Sequence, residues 1–148
     1  MQYICYVSAA TAPLSGEELN KIVNTSRTNN KRDGITGIML YSEGTFMQVL
    51  EGEKKDINAA FERINKDNRH TGVVKLAQGE ISERHFGQWP MAFKKTTAKE
   101  FSKFSDFSET ADPEIAESGL HPSVLLLKDF FEKTGMYLAM GLLLSFVK

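Results

Sequence analysis

A single cysteine in 148 residues leaves no partner for an intramolecular disulfide, and Cys5 has no second thiol at metal-ligand spacing. The three histidines, His70, His85 and His121, stand far apart, so a structural zinc site is not expected. Charge of one sign is also missing: 18 basic and 19 acidic residues leave a net charge of −1, with no broad field for nucleic acid or an anionic membrane. The longest apolar run, Met136 to Val147, falls short of the roughly 20 residues that cross a bilayer. The N-terminus shows no basic stretch followed by an apolar one, so no secretory signal is read and a soluble, cytoplasmic protein is expected. Neither Gly-x-Gly-x-x-Gly nor Gly-x-x-x-x-Gly-Lys occurs, which removes the two common phosphate-cradling loops.

What is present reads as an ordered alternation of strands and helices. Residues 2–8 are dense in β-branched and aromatic types and predict a first strand. A helix follows, with Ser15 and Glu18 at capping-box spacing and Leu14 and Leu19 at the two positions of a hydrophobic staple. Leu19, Ile22, Val23 and Asn30 share its inward face, and Gly34 ends it. Residues 35–42 and 45–51 then form a hairpin about Ser42-Glu43-Gly44. Ile57, Ala60, Phe61 and Ile64 give a second amphipathic helix over 54–67. Strands at 72–81 and 90–95 complete the order β-α-β-β-α-β-β, an α+β, ferredoxin-like sheet with both helices on one face. The strands are apolar on both faces, so the C-terminal helices are expected to cover the other. The division is then a core over 1–95 and an extension over 96–148, with 96–119 as an irregular connection.

Glu51-Gly52-Glu53 resembles a carboxylate pair for acid–base work, but two acids after a strand read more simply as a solvated helix start. The ferredoxin-like order also suits RNA recognition, yet the third strand, Thr45 to Leu50, lacks the basic residue and paired aromatics that this requires. Polar and soft residues stand where patterning expects plain core. Tyr6 shares a strand face with Ile4, Gln48 lies between Phe46 and Leu50, Asn30 ends an apolar stripe, and Trp89 and Met91 flank Pro90 on what reads as one strand face. Each alone has an ordinary explanation as a satisfied core polar group, a cap or packing.

Together they resemble the BLUF family, sensors of blue light using flavin. The resemblance rests on Ile4-Cys5-Tyr6-Val7-Ser8, Asn29-Asn30-Lys31-Arg32-Asp33-Gly34-Ile35-Thr36-Gly37, Phe46-Met47-Gln48-Val49-Leu50-Glu51-Gly52-Glu53, Arg63 to His70, and Phe86-Gly87-Gln88-Trp89-Pro90-Met91, in order and spacing. It implies a non-covalently bound flavin, FAD or FMN, inserted between the two helices. Ile22 and Ile64 would sandwich the ring, and Asn29 and Asn30 would serve its polar edge. Arg63, Asp67, Arg69 and His70 would meet its edge or phosphate-bearing tail. The resemblance further implies that Tyr6 supplies an electron and a proton, that Gln48 rearranges, and that Trp89 and Met91 relay the change. The implied protein is not an enzyme. It would act on a separate signalling chain. Apart from the resemblance, the apolar tail at Leu142-Leu143-Leu144 and Phe146 is expected to join copies of the chain through its C-terminal helices. The reactive cysteine of the LOV photosensors needs surroundings that Cys5 lacks, and Cys5 falls on the strand face opposite Tyr6. The competing expectations are a small phosphohydrolase of the acylphosphatase type, using Asn30 and a neighbouring arginine, and a light-insensitive flavin scaffold.

Overall fold

The computed structural model describes residues 1–87, 89–105 and 119–132. Five strands, β1 (Gln2–Ala10), β2 (Thr36–Ser42), β3 (Thr45–Gly52), β4 (His70–Glu80) and β5 (Ala92–Lys95), form one sheet in the order β4-β1-β3-β2-β5. The first four pair antiparallel, as in a ferredoxin-like sheet, and β5 joins the edge of β2 in parallel. Helices α1 (Gly16–Asp33) and α2 (Lys54–Lys66) pack on one face. Helix α3 (Ala98–Ser105) and helical backbone over 122–132, here α4, pack on the other.

Helix α1 starts and stops where its sequence says it should. Ser15 Oγ accepts from the Glu18 amide at 3.1 Å and Glu18 Oε1 from the Ser15 amide at 3.4 Å, a reciprocal cap worth about 1 kcal/mol. Gly34 closes the helix at φ 68°, where a side chain would be strained, and its amide donates to the Asn30 carbonyl. Asn30 is thereby fixed in the last turn.

The sheet has two cores because strand side chains alternate. Ile4, Met39, Phe46 and Leu50 join Leu19, Val23, Ile57 and Ala60 beneath α1 and α2. Tyr3, Cys5, Ile38, Leu40, Met47 and Val49 join Phe101, Phe104, Leu120, Val124, Leu127 and Phe131 on the far face. Strand β4 departs from the two-sided pattern: it is an edge strand, mostly exposed, with Lys75 on it.

Three expectations are corrected. Residues 96–119 are not wholly irregular, since Ala98–Ser105 is helical. Thr97 accepts from the Glu100 amide at 3.1 Å, and Phe101 and Phe104 are buried one turn apart. The last strand begins at Ala92 rather than 90, after Pro90, and Trp89 and Met91 do not share a face: Trp89 packs into the far core and Met91 into the helix-side core. Glu51 is no solvated helix start, for it is 0% exposed, and only Glu53 is exposed at the cap of α2. The expected contact between subunits through Leu142 to Phe146 lies outside the described residues, as does Gln88.

Candidate functional site

Pairing register builds the floor of the site. Tyr6 on β1 stands opposite Gln48 on β3, and Gln48 opposite Met39 on β2, so the three side chains form a row across the middle of the sheet. Strand parity turns the row toward α1 and α2. Above it opens a cavity of about 690 Å³, within the roughly 300–1,000 Å³ of small-molecule sites. Its lining contains Tyr6, Ile22, Asn29, Asn30, Gln48, Arg63, Ile64, Asp67, Arg69 and His70, every residue expected to hold a flavin. Ile22 comes from α1 and Ile64 from α2, facing the space from the two helices.

Tyr6 and Gln48 are 3% and 4% exposed, and the Tyr6 hydroxyl donates to Gln48 Oε1. Gln48 Nε2 donates to Met91 Sδ at 3.7 Å. An amide turned over would offer its oxygen to a thioether that has no hydrogen to give, so these partners fix the orientation. Burial pushes the Tyr6 phenol well above its ordinary range, with Cys5 and Asp67 adding to it, so the phenol keeps its proton. The Tyr6 ring meets Phe61 edge-on at 5.5 Å. Behind Tyr6, His70 Nε2 lies 2.5 Å from the Ile64 carbonyl and Nδ1 lies 2.9 Å from Ser8 Oγ. A carbonyl only accepts, so in the neutral ring the hydrogen is on Nε2 and Nδ1 accepts from Ser8.

The segment before β5 closes one side. Three successive carbonyls are each taken by a different donor: Trp89 O by the Gly37 amide at 2.9 Å, Pro90 O by Asn30 Nδ2 at 2.6 Å, and Met91 O by Arg27 Nε at 2.9 Å. Asn30, 4% exposed, thus spends its amide nitrogen on the backbone while it lines the cavity. Gly37 lets β2 approach this closely, since a Cβ there would lie 2.1 Å from the Val49 carbonyl oxygen.

The rim is charged and paired. Arg63 reaches across to Asp33 on α1 at 3.3 Å, and Arg69 binds Asp67 at 2.5 Å. The Arg69 hydrogen bond holds the Asp67 carboxyl below the usual carboxylate range. Ser8, Thr25, Ser26, Met39, Phe46, Ala59, Glu62 and Lys66 also line the cavity and were not anticipated. Met39 and Phe46 could have been found from register, because they flank Gln48 on its own face.

The family described as sensors of blue light using FAD, BLUF, matches residues 1–92. The chain belongs to this family. It is therefore a blue-light photoreceptor whose cofactor is a flavin. The chain is 34% identical over 93 residues to the photoactivated adenylate cyclase subunit alpha of Euglena gracilis, covering 62% of this chain and 9% of that protein. It spans only about a tenth of the length of the curated relatives it matches. Among solved structures, the ground state of BlsA superposes with a TM-score of 0.65 at 26% identity, over 90% of this chain and 85% of that one. The dark state of BlrB, a BLUF protein, gives a TM-score of 0.61 at 28% identity, over 73% and 81%.

The residues present fit a flavin: an apolar slot between two isoleucines, amides at its inner edge and cations at its rim. The phosphohydrolase alternative finds no such fit. Asn30 Nδ2 and Arg27 Nε are given to backbone carbonyls, and Arg32 pairs with Asp33 at 2.9 Å. Among the described residues no helix is long and apolar enough to cross a membrane, and no cluster could hold a metal ion.

Proposed function

We propose that this BLUF receptor switches through the Tyr6–Gln48–Met91 chain, and the observation that carries the reading is that one buried amide is bonded at both ends. When bound, the flavin supplies absorption of blue light and an excited-state oxidant. Tyr6 is the residue placed to give up an electron and a proton, because its hydroxyl already points at an acceptor. Gln48 would accept that proton at Oε1 and pass another from Nε2 to the flavin that took the electron, so that charge and protons balance. On return of both electron and proton to Tyr6, Gln48 is left rearranged, having reversed what it donates and accepts without any backbone movement.

Ile22 and Ile64 would hold the ring from its two sides, Asn29 and Asn30 its polar edge, and Arg63, Asp67, Arg69 and His70 the edge and the tail, whether FMN or FAD. We take residues 1–95 as the sensor and 96–148 as an extension that passes the change to a separate signalling protein or to a second copy of the chain. The sensor needs no catalysis of its own, and the cytoplasm suits its single free thiol.

The test is spectroscopic. Purified from a flavin-replete host, the protein should be yellow and its visible band should move reversibly to the red under blue light. Tyr6→Phe and Gln48→Leu should keep the colour and lose the shift; a full photocycle in Tyr6→Phe would remove Tyr6 as donor.

A further inference from the structure

Glu51 has no part in the switch as described, yet it is the one carboxylate among the described residues that is fully buried. It sits three residues past Gln48 on β3 and, by strand parity, points to the opposite face with Met47 and Val49. A charge in such a place is costly unless every lone pair is used. Here Oε1 accepts from Thr36 Oγ1 at 2.8 Å, the Phe86 amide at 2.8 Å and the His85 amide at 3.0 Å, and Oε2 accepts from the His85 amide at 2.8 Å. Arg84 leaves the carboxylate alone and donates instead to Gly34 O at 2.6 Å, Thr36 Oγ1 at 3.0 Å and Glu51 O at 3.4 Å.

We propose that Glu51 is a positioning residue for the photoswitch: it ties His85 and Phe86, at the start of the segment before β5, to β3 so that Met91 meets the Gln48 amide while Trp89 is seated in the far core. The inference rests on the switch proposed above. Three elements clamp the segment: Glu51 takes the amides of His85 and Phe86, Gly37 of β2 binds the Trp89 carbonyl, and Asn30 and Arg27 of α1 bind the carbonyls of Pro90 and Met91. Gln48 and Glu51 belong to one strand, so the acceptor of the Gln48 amide is set by the residue that anchors the segment's start. An amide replaces the carboxylate imperfectly: its oxygen could serve at Oε1, but the NH2 standing for Oε2 would face the His85 amide, donor against donor.

Three measurements on the flavin-loaded full chain test this. Glu51→Gln should retain flavin but change the dark-recovery rate by about three- to tenfold, the scale of one ordinary hydrogen bond. Trp89 is the only tryptophan, so its emission reads the segment directly, and it should shift to the red. Glu51→Asp, which keeps the acceptors but is one methylene shorter, should fall between. Leu127→Ala, a far-core truncation, serves as a control for general loosening and should leave recovery within about twofold. Wild-type recovery and emission in Glu51→Gln, or an equal change in Leu127→Ala, would overturn the proposal. If Glu51→Gln does not fold, hydrogen exchange of the wild type decides. The amides of His85 and Phe86 lie outside any helix or strand, yet should be protected by about 100-fold or more, and free exchange there refutes the clamp. Exchange and Trp89 emission need no photocycle, so a missing photocycle would count against the switch and leave the clamp standing or falling on its own.

Discussion

The hydrogen bond between Tyr6 and Gln48 is buried at both ends, so the costs of removing each partner should not add. In Tyr6→Phe the Gln48 oxygen loses its donor at a residue only 4% exposed, and an unpaired buried acceptor costs about 1–3 kcal/mol. The ring remains and can keep its edge contact with Phe61 at 5.5 Å, so little packing is lost. Gln48→Leu strands the phenol hydroxyl at a similar cost, about 1–3 kcal/mol, and also gives up the weak Met91 contact. The double variant strands neither group. Its loss of stability should be smaller than the sum of the single losses by about 1–2 kcal/mol.

The assay is urea denaturation in the dark at a fixed excess of flavin, with the flavin affinity of each variant measured separately. Ligand linkage, RT ln(1 + [L]/Kd), can then be subtracted from each stability. For a domain of this size about 1 kcal/mol also moves Tm by about 3–5 °C, which gives an independent reading. Additive losses, within about 0.3 kcal/mol, would refute the reasoning, because two side chains that share a buried bond cannot be energetically independent.

Gly37→Ala places a methyl group 2.1 Å from the Val49 carbonyl oxygen, so the β2–β3 pair must separate; the expected result is loss of cooperative melting or of flavin binding, read by circular dichroism and absorbance. Burial pushes the Cys5 thiol up to about 12, so alkylation at pH 8 should follow global unfolding and not the native protein's exposure to reagent. His121 is held below its ordinary 6.5 by burial, so the unfolded chain binds the proton more readily: stability should be fully present above pH 6.5 and fall as pH drops through that value. His121→Gln should flatten that limb. Asp67 is lowered in the same sense by its hydrogen bond to Arg69, and its contribution, present above about pH 3.8, should be lost below it.

The fold was legible in the sequence wherever a local rule and the global pattern agreed. Ser15 with Glu18, Gly34 and the alternation through Gln48 each specify one answer, and the structure adopts it. Residues 89–91 and 98–105 were misread for different reasons. Trp89-x-Met91 looks like a strand face by spacing alone, but carbonyls 89, 90 and 91 are bound to three separate donors rather than a ladder, so alternation does not apply. Glu51 was read as solvated because an acid predicts exposure unless its donors are known. Those donors are backbone amides 34 and 35 residues away, which no local pattern reveals. The short helix at Ala98–Ser105 was hidden by polar composition, although Thr97 and Glu100 stand at cap spacing and Phe101 and Phe104 one turn apart.

The two ends of the Gln48 amide are held unequally, and that inequality gives the proposed switch a direction. On one side the phenol of Tyr6 is a strong donor; on the other a thioether, a weak acceptor, takes the amide hydrogen at 3.7 Å. Any rearrangement of the amide therefore gives up Met91 more cheaply than Tyr6. Met91 is bonded through its carbonyl to Arg27 on α1, and two residues earlier Trp89 packs into the opposite core, so in the proposed switch release at Met91 would be passed to the face that carries α3 and α4. Met91→Leu isolates this step. The swap nearly conserves volume and should cost less than about 1.5 kcal/mol, yet it removes the sulfur acceptor. The red shift, which depends on Tyr6 and Gln48, should survive, while the light-induced change in Trp89 emission should fall by about half or more. An unchanged Trp89 response in Met91→Leu would mean that the far face hears the switch by another route.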